Sequence, residues 1–396
     1  MKVKLYRNLS EAVTETLKTI FEGNRYADKV IEKVLKQNRK WGARDRRFIA
    51  EAIYGIVRWH RYLATVSHSQ GDEYWRLLGA WLVWKEVPLP PWDGFKGLDV
   101  PAIREALKKD FPLPVRESIP DWLDVLGREE LPVRWEKEIK ALNEEARVVL
   151  RANTLKGDRE SLQQQLADEG IGTTVLSQFP EALALTRRMN VFGSASFRQG
   201  LFEVQDAGSQ WIAPFLRAAP GMRVVDACAG AGGKTLHLAA LMQNKGRIVA
   251  MDTEEWKLEE LRKRARRAGA TNIEVMAIAG AKAINRLAGT ADRLLLDVPC
   301  SGLGVLRRNP DAKWKLSPAF ISKVKGLQQQ LLVEYATVLK PGGMMVYSTC
   351  SILPSENGLQ VGQFLAAHAE YSLEEEKHCW PSEGFDGFYM ALIKKK

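Results

Sequence analysis

The sequence predicts an α/β protein whose C-terminal half is a doubly wound, mainly parallel sheet, preceded by a small α+β module and an all-helical region. Three observations predict it. Residues 206–396 contain five apolar segments, several of them followed by amphipathic helical stretches, as expected of strands buried on both faces. The first of these runs straight into a Gly-rich turn, and the second ends in an aspartate, Asp252. Residues 1–130, by contrast, show helical apolar stripes and no strand alternation.

In the helical region (1–130), Leu9, Ala12, Val13, Leu17, Ile20 and Phe21 fall on one face of a helix, and 26–35 and 47–59 repeat the pattern. Between these last two lies a basic stretch from Arg39 to Arg47 that contains Trp41-Gly42-Ala43-Arg44-Asp45-Arg46-Arg47. A Pro-rich segment, Pro88-Leu-Pro-Pro91, ends the next helical part. In 135–205, a helical pattern leads into strands at 148–153 and 173–176, separated by a Gly-closed helix at 158–170. In 206–396, strands are expected at 223–227, 247–252, 272–278, 292–298 and 344–349. Helices are expected at 254–268 and 317–339, the second stopped by Pro341-Gly342-Gly343.

At 396 residues the chain has room for two to four domains. Hydrophobic content of 45% and charged content of 27% exclude wholesale disorder. The best apolar run, Leu77 to Trp84, is far short of the roughly 18 residues of a membrane span. The N-terminus has no apolar leader, so a cytoplasmic location without membrane association is expected. Four cysteines do not make a disulfide framework, and their spacing shows no CxxC or nearby His pair, which argues against a metal site. The formal charge is +10, and it is uneven: residues 1–50 hold 13 basic and 6 acidic residues, and 301–350 hold 7 and 2. Two separated basic zones suit a polyanion, with nucleic acid the default and a solvated lysine-rich surface the bland alternative.

The turn Asp226-Ala-Cys228-Ala229-Gly230-Ala231-Gly232-Gly233-Lys234-Thr235 ends in Gly-Lys-Thr. A P-loop would need glycine at 228, where Cys228 stands, and the dinucleotide pattern would need glycine at 235. An ATPase is therefore disfavoured. An acid at one strand end, a Gly-rich turn and Asp252 at the next strand end suit a nucleoside without a pyrophosphate. S-adenosylmethionine is the common one. Two later strands end in Asp297-Val-Pro-Cys300-Ser-Gly and Ser348-Thr-Cys350-Ser. In a doubly wound sheet both lie at the carboxyl edge, where ligands bind. A lone cysteine there would read as a small core residue; two at neighbouring strand ends are harder to explain that way.

DACAGAGGKT, DVPCSG and STCS, in this order, resemble the RNA (cytosine-5)-methyltransferase family, the RsmB-like or Sun group that acts on ribosomal RNA. The 303–314 stretch, Gln205-Asp-Ala-Gly-Ser-Gln210 and Gly387-Phe-Tyr-Met-Ala391 are similar to it as well. The helical N-terminus with WGARDRR resembles the NusB-like RNA-binding domain of ribosomal-RNA members. The resemblance implies a Rossmann-like S-adenosylmethionine methyltransferase domain over 206–396. It implies Cys350 as the nucleophile that adds to C6 of cytosine, Cys300 as the group that helps release product, and Asp297 on the N3/N4 edge of the base. Cys228 to Lys234, Asp252 and Asp297 would line the cofactor. Lys234 would add positive charge near the site. Arg307, Arg308, Lys313 and Lys315, interleaved with Trp314, together with Arg44, Arg46 and Arg47, would hold RNA phosphates. The expected partner is ribosomal RNA of the small subunit, and the expected state is a monomer. Two positions depart from the family: Gly230-Ala231 replaces Ala-Pro, and Ala279 stands where an acid contacts the cofactor. The alternatives are a transfer-RNA enzyme and a non-catalytic RNA-binding or assembly factor, the latter favoured only by Ala279.

Overall fold

The computed structural model describes residues 5–278, 280 and 284–396. Ala279, the departure noted above, lies outside the described residues. The chain forms two compact units, 1–144 with 306–317, and 145–305 with 318–396. This division differs from the expected one: the basic stretch after Cys300 belongs to the helical unit, and the two sheets share a unit.

The first unit is helical. Helices Arg7–Phe21 and Ala43–Arg58 pack against Tyr74–Trp84, which buries Leu77, Leu78, Ala80, Leu82 and Val83, and Ala27–Gln37 packs against the first two. The expected stripe is present, with Leu9, Val13, Leu17 and Ile20 in the core. The apolar run at 77–84 is thus a central helix buried on all sides, as its lack of a polar face requires. Gly55 permits the close approach of two of these helices, since a Cβ there would lie 2.4 Å from Trp81 Nε1. The third helix begins at Ala43, four residues earlier than expected. Gly42 precedes it, and the Gly42 N–H donates to Asp45 Oδ2 at 3.1 Å, an acid in the first turn.

The second unit holds two sheets. Strands β1 (Val149–Ala152), β2 (Thr173–Val175), β3 (Ala182–Leu185) and β4 (Phe202–Val204) form an antiparallel sheet in the order β2-β3-β1-β4. Strands β5 (Arg223–Asp226), β6 (Arg247–Asp252), β7 (Ile273–Ala277), β8 (Ala291–Asp297) and β9 (Leu339–Thr349) are the five expected ones. Strands β10 (Tyr371–Cys379) and β11 (Phe388–Lys395) add an antiparallel pair, giving the order β10-β11-β9-β8-β5-β6-β7. The sheet is therefore mixed. Strand order reverses between β5 and β8, so the crevice outside their carboxyl ends is where a ligand of an open α/β sheet binds. The parallel register of β8 with β9 pairs Asp297 with Ser348, which brings the two cysteine turns side by side.

Candidate active site

Both sulfurs sit just past the ends of adjacent parallel strands. Cys300 follows β8 and Cys350 follows β9, and their Sγ atoms are 3.3 Å apart. All four cysteines are free thiols, and Cys300 and Cys350 are half-buried. Beside them Lys234 Nζ donates to Asp297 Oδ2 at 2.5 Å, and Ser348 Oγ donates to Asp297 Oδ1 at 3.0 Å. Burial alone would lower the Lys234 ammonium, but the charge of Asp297 and their hydrogen bond outweigh it, and the net shift is upward. Lys234 thus stays charged beside the sulfurs. The Cys300 thiol is pushed well up, first by its hydrogen bond to Cys350, then by burial and the negative charges of Cys350 and Glu356. Cys300 accordingly keeps its proton and can donate it across the gap. Burial, with the charges of Asp226, Asp297 and Asp252, also raises Cys228 and leaves it a poor nucleophile.

The family model of the 16S rRNA methyltransferase RsmB/F matches residues 213–394, and that of the RsmF/B-like ferredoxin-like domain matches 119–192. A probable ribosomal RNA small subunit methyltransferase B from Synechocystis is 32% identical, over 96% of this chain and 97% of its own. The chain belongs to the RsmB/F methyltransferase family. Ribosomal RNA small subunit methyltransferase B of Pasteurella multocida is 35% identical over 76% of this chain and 72% of its own. A methyltransferase homologue from Pyrococcus horikoshii is 28% identical, covers 72% of this chain and 98% of its own, and superposes with a TM-score of 0.64. RsmB/F enzymes depend on S-adenosylmethionine.

The residues around the Gly-rich turn fit that cofactor. Gly230 has φ +53° and Gly232 φ +86°, a left-handed backbone that glycine adopts at least cost. A Cβ at Gly230 or Gly233 would meet nothing within 4 Å, so the turn opens onto free space at the strand ends. Asp252 accepts the Gly230 N–H at Oδ2 and the Glu254 N–H at Oδ1, both at 2.9 Å. A carboxylate has about four acceptor positions, so capacity remains for two ribose hydroxyls. Buried Asp226 accepts from Thr235 Oγ1 at Oδ2, and its Oδ1 has no partner among the described residues. Burial raises its carboxyl to about 7.

In this RsmB/F member two arginines outside the turn pin it. Arg264 Nη1 donates to Ala231 O and Arg151 Nη1 to Gly233 O, each at 2.8 Å. Glu203 of β4 in turn accepts from Arg264 and Arg267. The small sheet therefore braces the turn at Ala231 and Gly233, a role that no local pattern in the chain signals. Arg264→Met is expected to raise the dissociation constant of S-adenosylmethionine about 5- to 10-fold, as the turn loses the bond to Ala231 O and Glu203 keeps only Arg267, and to leave kcat nearly unchanged at saturation. Isothermal calorimetry alongside steady-state kinetics measures both.

The expected phosphate contacts need correction. Lys313 is 1% exposed, and its Nζ donates to Arg58 O at 2.8 Å and Asn143 Oδ1 at 3.1 Å. Buried Arg307 donates to Ala141 O at 2.7 Å and pairs with Glu144 at 3.0 Å. Trp314 Nε1 donates to Val57 O at 2.8 Å and the ring packs on the helical core. These donors close the C-termini of helices Ala43–Arg58 and Trp135–Leu142, whose last carbonyls have no partner inside the helix. Arg307 and Lys313 are thus structural pins, and Lys315 pairs with Asp311 at 3.1 Å. Arg308 is half-buried. Arg46 donates to Trp41 O and Asn38 O and so fixes the turn before its helix. Arg47 pairs with Glu51 on the exposed face, and Arg44 is exposed.

Burial, the nearby Arg58 cation and an opposing pull from Glu117 leave the Lys313 ammonium well below the ordinary lysine value of 10.5. The unfolded chain then binds a proton that the folded chain lacks, so stability rises with pH through the window below 10.5. Lys313→Met is expected to flatten that rise and to cost about 1–3 kcal/mol near pH 10, from two acceptors left unpaired. Thermal melts from pH 7 to 10 measure both effects.

Proposed function

We propose that the chain methylates C5 of a cytosine in small-subunit ribosomal RNA through a covalent bond between Cys350 and C6. The observation that carries this is the pair of sulfurs 3.3 Å apart beside an Asp297 already held by Lys234 and Ser348. C5 of cytosine is a weak nucleophile. Addition of the Cys350 sulfur forms the S–C6 bond and drives the C5–C6 electron pair through C4 toward N3, while Asp297 holds the N3/N4 edge of the base by accepting from the N4 amino group. S-adenosylmethionine supplies a methyl group on a positively charged sulfur. The electron-rich C5 would take that methyl as the methyl–sulfonium bond breaks, the proton on C5 would pass to water, and its electron pair would restore the C5–C6 double bond as the S–C6 bond breaks, with Cys300 assisting release. Lys234 keeps its positive charge beside Cys350. Gly230 to Gly233, the Cys228–Ala229 backbone and Asp252 would hold the cofactor, with the two ribose hydroxyls on Asp252.

The base must leave any stack to reach Cys350. The helical unit, NusB-like in this reading, supplies affinity for RNA through exposed cations such as Arg44 and Arg47. The protein acts as a cytoplasmic monomer. Among the described residues no helix is long and apolar enough to cross a membrane. Arg44→Ala is expected to lower the slope of log affinity against log salt by about 0.7–0.9, the share of one phosphate contact, whereas Lys313→Met leaves it unchanged.

The purified chain, incubated with S-adenosylmethionine and unmodified small-subunit RNA, should protect one cytosine from bisulfite conversion. Protection in transfer RNA instead would move the substrate, and cofactor binding with no methylated base in either RNA would point to an assembly factor.

A further inference from the structure

Each of the two sulfur-bearing turns continues with a serine, and both serines reach the same carboxylate. Ser301 Oγ and Ser351 Oγ each donate to Glu356 Oε2 at 2.5 Å. The Ser301 N–H donates to Glu356 Oε1 at 2.7 Å. Gln328 Nε2 donates to Glu356 Oε1 at 3.2 Å and to Pro299 O at 3.0 Å, so the residue before Cys300 is tied in as well. The two serine oxygens are 3.2 Å apart, close to the separation of the sulfurs.

Glu356 is fully buried, and no lysine, arginine or histidine among the described residues forms an ion pair with it. A buried carboxylate without a cation is costly unless donors surround it. Here four hydrogen bonds do so, three of them from the residues that follow Cys300 and Cys350. Its own backbone is fixed too. Tyr347 Oη donates to Glu356 O at 2.7 Å, and Asn357 Nδ2 donates to Ser351 O at 3.0 Å while its Oδ1 accepts from Thr349 Oγ1 at 2.5 Å. The carboxylate is thus anchored to β9 on one side and carries both cysteine turns on the other. Packing of apolar groups would hold the turns near each other. Directional bonds from one point to both turns also hold their spacing.

We propose that Glu356 is a positioning residue of the methyl-transfer site, which sets the gap between Cys300 and Cys350 by holding the serine that follows each of them. The proposal rests on the reading of Cys350 as nucleophile. Glu356 touches neither sulfur; it acts through Ser301 and Ser351. Its charge works in the same sense, since it adds to the hydrogen bond and burial that keep the Cys300 proton in place. A displacement of about 1 Å at reacting atoms is enough to slow a reaction about 100-fold.

The test uses the full chain with S-adenosylmethionine and unmodified small-subunit RNA. Glu356→Ala is expected to lower kcat by on the order of 100-fold, with KM for RNA and the cofactor dissociation constant within about twofold of wild type. Glu356→Gln, whose amide oxygen still accepts, is expected to recover roughly tenfold of that loss. Should Glu356→Ala melt below the assay temperature, Ser301→Ala and Ser351→Ala carry the test: each is expected to lower kcat several-fold at unchanged KM. Full kcat in Glu356→Gln and both serine variants, or a loss confined to KM, overturns the proposal. Cys350→Ala, run in parallel, separates the two ideas. Normal turnover there removes the nucleophile reading, whereas an inactive Cys350→Ala beside fully active Glu356 and serine variants removes only the positioning role.

Discussion

Cys350→Ala is expected to lower methyl transfer by on the order of 10⁴-fold or more, while the protein keeps its melting temperature within a few degrees. Both halves follow from the site. The sulfur is the group that would make C5 electron-rich, and neither Cys228 nor Cys300 can replace it. Cys228 lies at the start of the Gly-rich turn with its thiol held protonated by burial and three nearby carboxylates. Cys300 is held protonated by the bond to Cys350 and by burial. The fold is spared because Cys350 is half-buried and its turn is fastened by neighbours: the Gly304 N–H donates to Cys350 O at 2.8 Å, and Ser351 is bound to Glu356. Incorporation of labelled methyl groups into RNA gives the rate, and circular dichroism gives the melt. Wild-type incorporation by this variant would remove Cys350 from the role of nucleophile.

The second large effect is qualitative. Cys300→Ala is expected to accumulate an RNA–protein adduct that survives a denaturing gel, whereas wild type shows little. Removing the Cys300 side chain leaves Cys350 in place, because Ser351, Glu356 and Asn357 hold its turn independently of the lost sulfur. Addition at C6 and methylation then proceed, and the step that fails is release. The double variant Cys300→Ala with Cys350→Ala should show no adduct, which ties the bond to the second sulfur. Full turnover by Cys300→Ala without adduct would assign release to another group.

Much of this site is legible in the sequence because strand ends announce themselves locally. An apolar segment that stops at Asp226, Asp252 or Asp297 marks its own carboxyl edge, and glycines mark the turn that follows. The parallel order of β5 to β9 follows from strands too apolar to face water. The C-terminal pair was less visible: β10 carries Glu374, Glu375, Glu376 and Lys377, as an edge strand does, and so lacks an apolar run, while β11 is buried between β10 and β9.

The basic stretch after Cys300 misleads for a related reason. Arg307, Lys313 and Trp314 have the composition of an RNA-binding loop, yet they meet the carbonyl ends of two helices and a core. Sequence reports the charge of a side chain, and only the fold reports what faces it. Glu356 is the opposite case: six residues past Cys350, it looks like any surface glutamate.

Taken alone, the order of residues determined the five parallel strands, the turn that suits a nucleoside and the place of two cysteines at strand ends, since each depends on neighbours a few positions apart. The tertiary structure alone decided that the sulfurs are 3.3 Å apart, that Glu356 ties their turns and that Arg264 and Arg151 brace the Gly-rich turn. Those are bonds between residues from 5 to 82 positions apart. Most join segments that meet only after the sheet has brought them together, so no local pattern along the chain can encode them.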